Sequence, residues 1–238
     1  MKLKIMHIYP DLLNLYGDKG NIECLRKRLL WRGIDAEVIE CNSSCELDLS
    51  DTDIALIGGG GEREERLALS KLMQKSGMLK EYINSGGVLV ALCGGFSFVG
   101  NYTFIGNEKT DALGLVDIYT EPSKTRFSGD VILKSDDFGY ITGFENHGVS
   151  TYTGDYAPLG EVICGGGNNG EDSKEGLIYK NVFATNLHGP LFPKNPKLCD
   201  SVLKRALERK YPDFEGLKEL DDALEEKASD VIIKRYIK

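Results

Sequence analysis

Apolar residues in the first hundred positions fall into short continuous runs, separated by longer stretches in which they recur every three or four places. Residues 3–8 read as a strand closed by Tyr9-Pro10. Ile22, Leu25, Leu29 and Leu30 then recur at helical spacing, which predicts a helix over 22–31 that Gly33 stops. Residues 36–40 and 53–57 read as further strands, and the latter runs into Gly58-Gly59-Gly60-Gly61. One helix beginning at Glu62 is predicted to carry Leu67, Leu69, Leu72, Met73, Leu79 and Ile83. After it comes Gly87-Val88-Leu89-Val90-Ala91-Leu92, a buried strand by its composition, then Cys93-Gly94-Gly95 and a helix over 96–99. Strands alternating with helices predict an α/β fold: a mostly parallel sheet flanked by helices, with right-handed crossovers.

Beyond Gly100 the period shortens. Residues 103–105, 113–119, 125–133, 140–142 and 161–163 read as strands, some of them antiparallel pairs beside the parallel sheet. Residues 165–172 are rich in Gly, Asn and acids and read as a solvated loop. A closing pair of strands over 176–180 and 181–185 delivers Asn186-Leu187-His188-Gly189-Pro190. A helix over 197–209 follows, and 217–237 reads as a terminal helix packed by one face. No linker marks a second domain, so one domain over 1–238 is expected, its C-terminal helix in about 211–238.

Composition narrows the function classes. A net charge of −8 argues against a nucleic-acid surface, which needs clustered Lys and Arg. No run is apolar enough to span a membrane, and Met1 to Met6 enters a strand without the features of a signal peptide. The six cysteines show no Cys-x-x-Cys spacing, so neither a zinc site nor a disulfide framework is indicated. A cytoplasmic protein with reduced thiols is the expectation.

In an open α/β sheet, ligands bind beyond the carboxyl ends of the strands. Cys93 stands there, at a strand–turn–helix bend between the small residues Ala91 and Gly95, which is the pattern of a nucleophile elbow. A buried structural cysteine before a glycine turn fits the same residues. His188 stands where a late strand gives way to Gly-Pro, and its imidazole is expected exposed at the rim. His7 lies inside the first strand, and His147, read as part of a loop, stays ambiguous. Cys93 and His188 would form a thiolate–imidazole couple, with an imidazolium and the helix N-terminus lowering the thiol pKa. The tetrahedral oxyanion needs two backbone donors, expected at Gly94 and, from the glycine run, Gly59. That run matches neither a Walker A loop nor a dinucleotide fingerprint.

The ordered set of glycine loop, elbow cysteine and late histidine is similar to class I glutamine amidotransferases, which share a flavodoxin-like sheet, and to their branch related to cobyric acid synthase. The block Tyr9-Pro10-Asp11-Leu12-Leu13-Asn14-Leu15-Tyr16-Gly17-Asp18-Lys19-Gly20-Asn21 resembles one family more closely. So do residues 58–64, Cys93-Gly94-Gly95, Gly143-Phe144-Glu145-Asn146-His147-Gly148 and Asn186-Leu187-His188-Gly189-Pro190. It is the family of GatD-type glutaminase subunits of lipid II isoglutaminyl synthase. The resemblance implies Cys93 as nucleophile, His188 as general base and acid, a glutamyl thioester, and ammonia as product. It also implies that Arg126 holds L-glutamine, in keeping with the bidentate fit of a guanidinium to a carboxylate. The implied partner is a Mur-ligase-like, MurT-type synthetase subunit. It would carry ATP and Mg and amidate the D-glutamate α-carboxylate of lipid II, this chain holding no cofactor or metal of its own.

Two positions depart from the family pattern. The acid that commonly follows the histidine in His-x-Glu is replaced by Pro190, so the carboxylate is expected from the partner. Ser97 stands where a substrate-contacting glutamine is usual. Two other readings stay open: a glutaminase component for corrinoid amidation, and a redox, stress or interaction protein on the same sheet.

Overall fold

The computed structural model describes residues 1–237. Its first half contains β1 (Lys2–Ile8), α1 (Lys19–Leu30), β2 (Asp35–Cys41), β3 (Ile54–Ile57), α2 (Glu62–Met73), α3 (Ser76–Asn84), β4 (Val88–Leu92) and α4 (Gly94–Phe98). Next come β5 (Tyr102–Ile105), β6 (Glu108–Asp111), β7 (Tyr119–Ser135), β8 (Gly139–Tyr152) and β9 (Gly160–Cys164). The chain ends with β10 (Lys174–Glu175), β11 (Leu177–Tyr179), β12 (Val182–Thr185), α5 (Pro196–Lys210) and α6 (Ala223–Tyr236).

The main sheet has the order β11-β12-β4-β3-β1-β2 and is parallel except for β11. Its central strands are buried on both faces, which is why they are continuously apolar. Val88, Val90 and Leu92 pack with Ile22, Leu25 and Leu29 of α1 and with Val202 and Leu203 of α5. Leu89 and Ala91 face the other way, onto Leu72 of α2 and Leu79 and Ile83 of α3. A helix as short as α1 is marginal alone. Burial of its three apolar residues, at about 1.5–3 kcal/mol each, holds it against the sheet.

A second sheet, in the order β10-β9-β7-β5-β6 with β8 paired to β7, holds the antiparallel pairs expected of the second half. The runs expected at 125–133 and 140–142 are parts of the long hairpin β7–β8, and residues 145–148, read as a loop, lie inside β8. A two-residue antiparallel bridge between Phe144 and His188 ties this sheet to the end of β12.

Four further expectations are corrected. The helix read from Glu62 to Ile83 is two helices, because at Lys75 the N–H turns back to the Leu72 carbonyl (2.8 Å) and the α ladder restarts. Leu67 of α2 is exposed. Residues 113–119 are no strand: Leu115 and Val116 are both buried in one cluster, whereas a strand sends neighbours to opposite faces. Their backbone instead bonds to residues 98–101. The loop at 165–172 is not solvated throughout, since Asn168 and Asn169 are buried and the N–H groups of Gly166 and Gly167 donate to the Glu145 carboxylate (2.7 and 3.1 Å). The terminal helix starts only at Ala223, just past Asp222, whose carboxylate is bound to Arg28 of α1.

Candidate active site

β4 ends at Leu92, and the chain reverses at Cys93 with φ 53° and ψ −115°. That left-handed conformation is costly for any residue with a side chain, and such strain concentrates at functional sites. The bend is held from two sides: the Cys93 N–H donates to the Thr185 carbonyl (2.9 Å) and the Gly95 N–H to the Gly58 carbonyl (3.0 Å). A methyl group on Gly95 would collide with the Ile57 carbonyl, so the small residue read at the elbow answers to a backbone contact. The Gly94 amide follows the sulfur-bearing residue directly and favours the thiolate form of Cys93. A Cβ on Gly59 would lie 2.9 Å from Cys93 Cβ, which puts the glycine loop directly against the nucleophile candidate.

Two carboxylates that the sequence reading did not single out grip that loop. Asp18 accepts the Gly59 N–H at Oδ2 (3.3 Å), while its Oδ1 is buried without a partner. Glu65 Oε1 accepts the Gly60 N–H (3.2 Å) and lies over Gly94. Burial pushes Asp18 up to about 6 against the pull of the Gly59 N–H. Glu65 rises to about 7 through burial and the repulsion of Glu62 and Glu64. Burial, Glu65 and Asp18 together push the Cys93 thiol well above its ordinary value, with the Gly94 amide and Arg126 opposing them. The expected lowering by an imidazolium and a helix N-terminus is therefore absent. The five-residue α4 is too short for a strong dipole, and His188 is neutral and makes no hydrogen bond to the sulfur.

Asp18 offers a test of this electrostatic picture. Between pH about 4 and 6 the folded chain keeps a proton on Asp18 that the unfolded chain has lost, so this group lowers stability as pH rises through that window. Asp18→Asn keeps an acceptor for the Gly59 N–H and removes the charge. Its melting temperature relative to wild type is expected to climb from pH 4.5 to pH 7, by the equivalent of about 2 kcal/mol. A difference that stays flat over that range would show that Asp18 is not held above its ordinary value.

His188 follows β12 where expected but is buried, 1% exposed, rather than set at the rim. The Phe144 bridge encloses it, and the Tyr16 ring stacks on it at 3.8 Å and 16°. Burial, then His147 and Lys194, lower it to about 4, with Glu145 opposing. Its Nε2 has no partner. Pro190, in the place of the family's acid, packs on Gly20.

Cys93, Ser97, Arg126 and His147 line one cavity of about 550 Å3, joined by Tyr16 and Glu65; His188 does not line it. Arg126 donates from Nε to Asn146 Oδ1 (2.7 Å), and Asn146 Nδ2 donates to the Tyr16 hydroxyl (3.2 Å). His147 is buried in β8 with Nδ1 on the Val149 carbonyl (2.8 Å), so Nδ1 carries the proton. No cluster of three or more metal-ligating side chains occurs among the described residues, and none of their helices is long and apolar enough to cross a membrane. Tyr16 and Asn146 belong to the sequence blocks quoted for the family, the only signal that could have found them.

Chemically, the arrangement offers a strained thiol beside a backbone donor, a guanidinium within the same cavity, and a sequestered imidazole behind an aromatic ring. Residues 4–196 match the model of the CobB/CobQ-like glutamine amidotransferase domain. Over 235 residues the chain is 44% identical to the lipid II isoglutaminyl synthase (glutamine-hydrolyzing) subunit GatD of Staphylococcus aureus, with 98% of this chain and 96% of that protein covered. The subunit of the same name from Streptococcus pneumoniae is 35% identical, with 97% and 92% covered. A crystal structure of a glutamine amidotransferase shares the fold, with a TM-score of 0.57 at 15% identity over 84% of this chain and 98% of that one.

Proposed function

The chain belongs to the CobB/CobQ-like glutamine amidotransferase family, within its GatD branch, and on that premise we propose that Cys93 hydrolyses L-glutamine to supply ammonia to a synthetase subunit. The observation that carries the reading is the strained Cys93, against the glycine loop and in one cavity with the Arg126 guanidinium. Glutamine is a zwitterion with a carboxamide at its far end. Arg126 suits its carboxylate, Glu65 suits its ammonium, and Cys93 suits the carboxamide carbon.

In the first half-reaction Cys93 Sγ attacks that carbon while the thiol proton passes to His188. The carbonyl oxygen becomes an oxyanion, received by the Gly94 N–H and by the Gly59 N–H once that donor leaves Asp18. The imidazolium then gives its proton to the departing nitrogen. The C–N bond breaks, and ammonia and a γ-glutamyl thioester remain. In the second half His188 takes a proton from water as its oxygen adds to the thioester. The sulfur leaves with that proton, and glutamate is released.

The acceptor lies on a Mur-ligase-like partner that binds ATP and Mg2+ and amidates the D-glutamate α-carboxylate of lipid II in the cytoplasm. The relatives named as subunits of lipid II isoglutaminyl synthase support this reading. With Pro190 in the acid position, the orienting carboxylate comes from that subunit.

Ammonia release from L-glutamine, followed for the isolated chain and for the complex purified from its source, tests both parts. Turnover is expected to rise on the order of 10²-fold on assembly. Equal activity would remove the partner's carboxylate, and no ammonia from either would remove the glutaminase reading. In the same assay Arg126→Ala should raise KM for glutamine roughly 10- to 100-fold, the worth of a charged hydrogen-bonded clamp. An unchanged KM would take Arg126 out of the substrate site.

A further inference from the structure

We propose that Tyr16 is a positioning residue for His188, covering the imidazole and uncovering it when Arg126 captures the substrate carboxylate, with Asn146 as the link between them. This rests on the glutaminase reading above.

The four side chains form one continuous chain of contacts. Arg126 Nε donates to Asn146 Oδ1 (2.7 Å), Asn146 Nδ2 donates to the Tyr16 hydroxyl (3.2 Å), and the Tyr16 ring lies on the His188 ring (3.8 Å, 16°). Tyr16 lines the cavity that holds Cys93, and His188 behind it does not. A base that must exchange a proton with the sulfur is thus separated from the cavity by one aromatic ring, and its Nε2 is buried with nothing to bond to. An unpaired buried nitrogen is costly, so the covered arrangement fits a resting state more readily than a working one.

The same short segment also holds the oxyanion donor. The Leu15 N–H donates to the Gly59 carbonyl (3.1 Å), and Asp18 accepts the Gly59 N–H (3.3 Å). Both backbone groups of Gly59 are therefore tied to residues 15–18, with Tyr16 between them. Gly17, at φ +78°, follows Tyr16 directly, a conformation that glycine adopts without strain and that can absorb a change of direction. When a carboxylate competes for the Arg126 guanidinium, Asn146 loses the partner that orients it and its hold on the Tyr16 hydroxyl weakens. Displacement of Tyr16 then opens His188 toward Cys93 and loosens the grip on Gly59 in one movement.

The titration of His188 reads this directly, because the chain has only three histidines and their ring protons can be resolved by NMR. The charged and titratable groups that face His188 are His147 and Glu145 from β8 and Lys194 after β12, and all of them stay in place in the variants used. In the full chain, wild-type His188 is expected to titrate at about 4, lowered by burial. Tyr16→Ala should move it up by about one unit or more, toward the ordinary histidine value. Saturating L-glutamine added to Cys93→Ala, with Tyr16 present, should produce a shift in the same direction, and Arg126→Ala should abolish the response to glutamine.

Tyr16→Phe keeps the stacked ring and loses only the hydroxyl, so it serves if Tyr16→Ala does not fold, and it should leave His188 midway. A His188 titration that neither substitution moves, or one that glutamine leaves unchanged while binding to Cys93→Ala, would overturn the proposal. Failure of the glutaminase reading shows elsewhere, as absence of ammonia release by the assembled wild type.

Discussion

Cys93→Ala should abolish ammonia release from L-glutamine, with a loss of at least about 10⁴-fold in kcat, because no other side chain in the cavity can form the thioester. Loss alone does not distinguish a nucleophile from a structural cysteine. Stability does. Cys93 stands at φ 53° and ψ −115° and is buried against the glycine loop. Cysteine and alanine bear the same backbone strain there, whereas glycine does not. Cys93→Gly should therefore be more stable than Cys93→Ala by about 1–2 kcal/mol although it removes a further carbon. For a chain of this size that is roughly 2–8 °C in melting temperature. Both variants should be inactive. A Gly variant that melts at or below the Ala variant would show that the elbow stores no strain, and full turnover by either would remove Cys93 from the reaction.

The second large effect concerns the frame behind the site. Arg28 of α1 has a side chain only 2% exposed, and its guanidinium binds Asp200 of α5 through Nε and Nη2 (2.6 and 2.7 Å) and Asp222 through Nη1 (2.6 Å). Arg32 shares Asp200 (2.5 Å). Removing one partner of a buried ion pair leaves uncompensated charge, at a cost of about 3–5 kcal/mol. Arg28→Ala is thus expected to melt roughly 6–20 °C below wild type. Arg28→Lys keeps the charge but not the planar fork and should fall between the two. A melting temperature for Arg28→Ala within about 2 °C of wild type, equivalent to less than about 1 kcal/mol, would mean that the network does not anchor the segment leading into α6.

Much of the first half could be read without coordinates. A strand buried on both faces must be apolar at every position, and β4 is. The burial of α1 repeats with the helical period because only one of its faces meets the sheet. The elbow was legible for a similar reason: a backbone that turns through a left-handed residue between packed elements needs small neighbours, and Gly94 and Gly95 supply them. Where local pattern misled, neighbours decided. Leu115 and Val116 look like strand residues, but a loop that folds over one cluster buries both.

Sequence by itself therefore determined the α/β sheet, the elbow at Cys93, the positions of His188 and Arg126 along the chain, and the family blocks around them. Only the tertiary structure decided that His188 lies under Tyr16, that Asp18 and Glu65 hold the glycine loop, and that Arg126 reaches Tyr16 through Asn146. The physical reason is range. Periodicity and turn chemistry are set by residues a few places apart, whereas the state of the thiol and the reach of the imidazole are set by burial and by partners that meet only when the two sheets close on each other.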